Sequence, residues 1–183
     1  MMLNVGCGGK IGDKACYFGD VRTDVRRFPS VTILMDAHKL AFKGSVFDKI
    51  VCFEVLEHLD SPISALKGFK RILKDEGEVI VSVPNLWYWR RILRFLMKKQ
   101  KVFMEVAGID HKQGWDVFEF SNLVQQAGFR VTHVKWLDWY PKAKHKLGIL
   151  EPLLRLIPQI CFYHIMFRLK PLSPSKSSLT YSD

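Results

Sequence analysis

The chain opens on Leu3-Asn4-Val5-Gly6-Cys7-Gly8-Gly9, a short apolar strand delivered directly into glycines. Glycine at a strand end lets backbone approach a ligand closely, so Gly6 and Gly8 are candidates for a cofactor loop. A carboxylate follows at the spacing expected of a nucleotide site. Asp24 closes Gly19-Asp20-Val21-Arg22-Thr23-Asp24, where it can accept hydrogen bonds from both hydroxyls of a ribose. Asp36 and Ala37 end the apolar run Val31-Thr32-Ile33-Leu34-Met35, and there a second carboxylate and a backbone N–H can read an adenine edge. The next strand end, Phe53-Glu54-Val55-Leu56-Glu57-His58, carries two acids and an imidazole, the side-chain type suited to proton transfer. His111 is a second imidazole, and Asp110 beside it is expected to raise its basicity. Holding a nucleotide-like cofactor and moving a proton are the chemistries these residues offer.

Bringing them to one edge requires strands that run side by side. Val31 to Met35 reads as a buried strand, and Phe47 to Phe53 as another. Asp60-Ser61-Pro62 marks a helix start, with a capping side chain and proline in the first turn, leading into Ile63 to Lys74. Asp75-Glu76-Gly77 turns the chain into a central strand, Glu78 to Asn85, which Pro84 ends on the ligand edge. Trp87 to about Lys99 reads as a basic aromatic helix, and Asp110 to Trp115 as a roof over the site. Ser121 to Ala127 is a helix stopped by Gly128, and Phe129 to Trp136 alternates as a strand does. An apolar helical patch at Leu147 to Leu156, a final antiparallel strand at Cys161 to Leu169 and a polar tail from Ser173 complete the chain.

The ordered set Val5-Gly6-Cys7-Gly8-Gly9, Asp24, Asp36-Ala37, Phe47-Asp48 and Glu54-Val55-Leu56-Glu57-His58 resembles the class I S-adenosylmethionine-dependent methyltransferases of the small-molecule type. The resemblance is good over residues 2 to 85 and looser to about residue 170. It implies an α/β fold, a Rossmann-like doubly wound sheet that is mostly parallel with an antiparallel last strand. It also implies S-adenosyl-L-methionine as cofactor, held by Gly6, Gly8, Asp24, Asp36, Ala37, Phe53 and Glu54. Two departures stand out: Asn4 occupies a position usually acidic, and Lys10 one commonly glycine. Only about a dozen residues separate Gly8 from the second strand, so a shortened first helix is expected, with no N-terminal lid helix before the first strand. The domain is expected over 1–170, with 86–115 as a substrate-side insertion and 171–183 as a flexible tail.

Methyl transfer from a sulfonium asks mainly for a nucleophile held in line, about 3 Å from the methyl group. Where that nucleophile is a hydroxyl, a base helps, and His58 and His111 are the catalytic candidates. The acceptor is expected to be a small molecule, or lipid- or sugar-linked, methylated at oxygen or nitrogen.

With 183 residues, 48% hydrophobic and 25% charged, the chain suits one intracellular globular domain. No charged start precedes an apolar cleavable segment, so the cytoplasm is the expected location. Cys7, Cys16, Cys52 and Cys161 show no paired spacing, and neither a disulfide framework nor a metal site is expected. A net charge of +10 draws attention to phosphate chains and acidic lipid surfaces. Much of it lies in Arg90, Arg91, Arg94, Lys98, Lys99 and Lys101, for which a solvated helix face with an apolar underside is the simpler reading. No apolar run reaches the roughly 20 residues of a bilayer span, which leaves only surface contact through 147–157 as a membrane role. Nucleic-acid methylation is disfavoured, because Cys52-Phe53-Glu54-Val55 lacks the Asn/Asp-Pro-Pro-aromatic pattern used on base amines. A second alternative, a non-catalytic or partner-dependent subunit of the same fold, is motivated by Asn4, Lys10 and the shortened helix.

Overall fold

Seven strands form one sheet in the order β3-β2-β1-β4-β5-β7-β6. The computed structural model describes residues 1–8, 18–97, 111–139 and 156–172. Strands β1 (Met2–Val5), β2 (Val21–Asp24), β3 (Ile33–Leu34), β4 (Phe47–Phe53) and β5 (Leu73–Pro84) run parallel to their neighbours. The last strand, β7 (Phe162–Pro171), lies antiparallel between β5 and β6 (Phe129–Trp139). The carboxyl ends of the first five strands and the start of β7 therefore share one edge, where ligands of open parallel sheets gather. This is the doubly wound, mostly parallel sheet expected, with its antiparallel last strand.

Local chemistry explains the elements that carry this edge. β4 buries Phe47, Ile50, Val51 and Cys52, a nearly continuous apolar run as a doubly covered strand requires. Helix α1 (Pro62–Ile72) starts with proline in its first turn and turns Ala65, Leu66, Phe69 and Ile72 inward, a stripe of helical period. Fully burying Leu66 or Phe69 stabilises the fold by roughly 1.5–3 kcal/mol each. Helix α2 (Trp89–Leu96) follows β5, α3 (Val117–Gln126) precedes β6, and the short α4 (Pro158–Cys161) leads into β7.

Several expectations are corrected. Val31 to Met35 is not a buried strand: only Ile33–Leu34 pairs, and at the sheet edge both side chains are substantially exposed. Asp75-Glu76-Gly77 does not end an element but bulges within β5, where Leu73 pairs with Phe47 and Glu78 already with Lys49. Ser61 precedes α1 yet caps no backbone N–H, its hydroxyl lying 2.7 Å from that of Ser64. Helix α3 begins at Val117 rather than Ser121, because Asp116 and Glu119 form a reciprocal capping box. The shortened first helix, Lys10, the apolar patch at 147–155 and the tail from 173 lie outside the described residues. Among the described residues no helix is long and apolar enough to cross a membrane.

Candidate functional site

The β1–β3 side of the edge is built from main chain. Gly6 has φ +73°, and a Cβ there would stand 2.2 Å from the Val55 side chain, so glycine is required by both conformation and space. The N–H groups of Gly6 and Cys7 donate to the Thr23 carbonyl at 2.7 and 3.1 Å, drawing the loop onto the end of β2. There Asp24, 8% exposed, accepts from the N–H of Gly8 at 2.9 Å and of Arg26 at 2.8 Å. Each carboxylate oxygen keeps lone-pair capacity for a further donor such as a ribose hydroxyl. A Cβ on Gly8 would meet both Asp24 and the Phe28 ring, so this close approach again needs glycine. Buried Asn4 donates through Nδ2 to the Phe18 carbonyl at 3.2 Å, tying the approach to β2 to the middle of β1.

Asp36 stands just past β3, and its Oδ1 accepts from the N–H and ring Nδ1 of His38, both at 2.8 Å. Chiefly through that backbone N–H, His38 holds the Asp36 carboxyl below its ordinary value. His38 Nε2 accepts from the Ser61 N–H at 3.3 Å, which locks the ring between the adenine-side loop and α1. Ala37 is buried, and Phe53 stacks loosely with Phe18, ring centres 6.2 Å apart. Glycines that a Cβ would obstruct, together with carboxylates fixed at two successive strand ends, fit the S-adenosylmethionine that the resemblance implies.

The β4–β5 side is different in kind. Glu54 has φ +53°, unusual for a residue with a side chain, and its carboxylate bridges Ser82 Oγ at 2.7 Å and His164 Nε2 at 3.0 Å. A 3-10 turn, Leu56–His58, then directs Glu57 into the protein, 0% exposed, with neither carboxylate oxygen hydrogen-bonded among the described residues. Burial, and next the charge of Glu54, push its carboxyl well above the ordinary range. The His58 and His111 rings meet edge to face, 4.8 Å between centres, and His58 Nε2 lies 3.9 Å from Glu57 Oε1. Arg91 of α2 is not on a solvated face, contrary to the simple reading of the basic helix. Its Nε and Nη2 are buried without hydrogen-bond partners among the described residues, and its guanidinium lies 5.6 Å from the Tyr163 ring centre.

A strap holds His111 in place. Lys112 and Gln113 N–H donate to the Glu57 carbonyl at 2.8 and 3.2 Å, Gln113 Nε2 reaches the Leu59 carbonyl, and Lys112 pairs with Asp60 at 2.6 Å. At its other end Trp115, buried against Phe120, bridges Asn85. Asn85, 1% exposed, donates to the carbonyls of Gln159 and Phe162 and accepts from Trp87 N–H, joining β5, α2, α4 and β7. Residues 111–115 of the segment expected to roof the site are thus tied to Glu57 at one end and Asn85 at the other, while Asp110 lies outside the described residues. The expected rise in His111 basicity is reversed: burial first, then the charges of His58 and Arg91, lower its pKa to about 4.

All nine sequence-chosen residues lie along this edge, Gly6, Gly8, Asp24, Asp36 and Ala37 on one side and Phe53, Glu54, His58 and His111 on the other. Sequence reasoning missed Arg91, His38, Ser82 and His164, and gave Glu57 only a capping role. His38 had a local signal, two residues beyond Asp36. Ser82 and His164 had none, because the pairing of β4 with β5 brings Ser82 to Glu54 and that of β5 with β7 brings His164.

A family profile described as a methyltransferase domain matches residues 23–134. An uncharacterised protein of Methanocaldococcus jannaschii is 33% identical over 93 residues, 46% of this chain and 41% of that protein, so the chain spans less than half of that relative. A ubiquinone biosynthesis O-methyltransferase of Pseudomonas putida is 25% identical over 163 residues, 79% of this chain and 70% of the relative. Among solved structures, an S-adenosylmethionine-dependent methyltransferase from Archaeoglobus fulgidus superposes with a TM-score of 0.63 at 14% identity. That match covers 92% of this chain and 85% of the other, and is a likeness of fold.

Proposed function

The chain belongs to the S-adenosylmethionine-dependent methyltransferase family, and within it we propose methylation at oxygen of a small-molecule, lipid- or sugar-linked acceptor. One observation carries this reading: beside the glycine loop and the strand-end carboxylates lies buried Glu57 with half-buried His58 and His111, near an Arg91 whose Nε and Nη2 have no hydrogen-bond partner among the described residues. Such groups are costly to bury, and a polar acceptor offsets the cost by supplying what the protein withholds. A hydroxyl meets the Glu57–His58–His111 side, and an anionic group on the same molecule meets Arg91. The P. putida relative, an O-methyltransferase by name, supports oxygen over nitrogen.

When bound, S-adenosylmethionine supplies a methyl group already activated by its sulfonium. The acceptor oxygen gives up its proton and forms the new bond to the methyl carbon, while the carbon–sulfur bond breaks with its pair remaining on sulfur. The protein's share is to hold the oxygen in line and weaken its O–H bond. His111, with a pKa of about 4, is poorly matched to act as a lone base near neutrality, which leaves His58 or the group as a whole for that task. Transfer of labelled methyl to a panel of hydroxylated carboxylic acids, amines and nucleic acids tests the reading. Hydroxy acids should be labelled, with turnover falling in His58→Ala while affinity for the demethylated product holds. Labelling confined to amines or nucleic acid would overturn it, and transfer only with a co-purifying chain would favour the partner-dependent alternative.

A further inference from the structure

We propose that Glu57, His58 and His111 form a binding site for one divalent transition-metal ion, placed to take the acceptor's oxygen as an additional ligand. This deepens the O-methyl transfer reading and rests on it for the ion's role, though not for its binding. One donor atom from each residue lies within 4.8 Å of the others. Ligands about 2.1 Å from a tetrahedral ion stand roughly 3.4 Å apart, so the set closes on an ion when its longest pair draws in by about 1.4 Å.

The independent observation is the Glu57 carboxylate. It is 0% exposed, and neither oxygen has a hydrogen-bond partner among the described residues, although Arg91 is near enough to influence it electrostatically. Glu54, already held by Ser82 and His164, lies close enough to share a proton with Glu57 and pushes its carboxyl further up. A carboxyl buried in this state either keeps a proton or takes a cation, and the two imidazoles beside it suit that cation to be a metal. The strap that presents His111 is anchored on the carbonyl of Glu57 itself, so ligands 54 residues apart in sequence are held as one unit.

One carboxylate and two imidazoles favour zinc, manganese, iron(II) or cobalt over magnesium or calcium, which prefer all-oxygen sets. Three protein ligands leave coordination positions open. A hydroxyl oxygen bound there would be polarised and lose its proton more readily, so the group as a whole, with His58 among its ligands, would serve the proton-removing task.

The test uses the full chain after chelator treatment, with Zn2+ followed by calorimetry and Co2+ by its visible absorption. The site predicts one equivalent bound at micromolar concentration or below, with a Co2+ spectrum of mixed nitrogen and oxygen ligation. Affinity should fall at least tenfold in His111→Ala and further in Glu57→Gln. Binding of S-adenosylhomocysteine, titrated separately, reports whether each variant is folded, and should be unchanged. Absence of a stoichiometric metal, or folded variants that bind it as the native chain does, would overturn the proposal. Metal binding without S-adenosylhomocysteine binding would instead leave the site standing and remove the methyl-transfer reading.

Discussion

At the ends of β2 and β3, Asp24 and Asp36 are held by main-chain N–H groups, Asp24 by Gly8 and Arg26, Asp36 by His38. At the ends of β4 and β5 the Glu57 carboxylate is fully buried, Nε and Nη2 of Arg91 find no hydrogen-bond partner among the described residues, and two imidazoles meet beside Glu57. The first side is complete as a fold, because its polar groups are satisfied by the loops that also shape it. The second is incomplete, and what it lacks describes its ligand. A buried charge left unpaired is destabilising, so its persistence points to work done on something bound.

Substitutions on the two sides should therefore differ in sign. The largest effect is expected at Gly6→Ala, where the left-handed backbone and the Val55 contact together cost roughly 3 kcal/mol. Chemical denaturation should show that loss, together with loss of cofactor binding. An alanine variant as stable as the native chain would mean the loop is not built as described. Glu57→Gln should move the other way, because removing an uncompensated buried carboxylate stabilises the metal-free protein by about 1–2 kcal/mol. A lower melting temperature than the native chain in chelator would show that Glu57 is already paired.

Glu78, away from both sides, provides the smallest change. Lys49 at 2.6 Å, with Arg168 at 3.5 Å, keeps its carboxyl below the ordinary value of 4.5. Its contribution is thus present above about pH 4.5 and lost as pH falls through the lowered value. For this largely surface pair it amounts to under about 1 kcal/mol. Glu78→Gln should flatten that acid limb slightly and leave neutral stability nearly unchanged; an unaltered limb would remove the ion pair from the account.

These contrasts follow how far each side was legible in the sequence. Gly6, Gly8, Asp24 and Asp36 sit at strand ends whose apolar runs announce them, and the parallel sheet does the rest. The brief pairing of Ile33 and Leu34 was not legible, because an edge strand has no second neighbour to demand a long buried run. Asp116-x-x-Glu119 was a readable capping box, and overlooking it shortened α3 by four residues at its start. The Glu57, His58 and His111 group was illegible for a different reason. His111 reaches the others through main-chain bonds from Lys112 and Gln113 to Glu57, a contact that spacing in sequence does not encode. Arg91 was hidden in a run of basic residues in which sequence gives no reason to single it out.

The central claim is that the β1–β3 edge is a working S-adenosylmethionine site in which Asp24 holds the ribose. Calorimetric titration of the native chain and of Asp24→Ala with S-adenosylmethionine and its demethylated product tests it most directly. The account predicts micromolar binding by the native chain, weakened about a hundredfold or more by loss of the charged hydrogen-bond acceptor. A native chain that binds neither compound, or a variant that binds both as tightly, would contradict it.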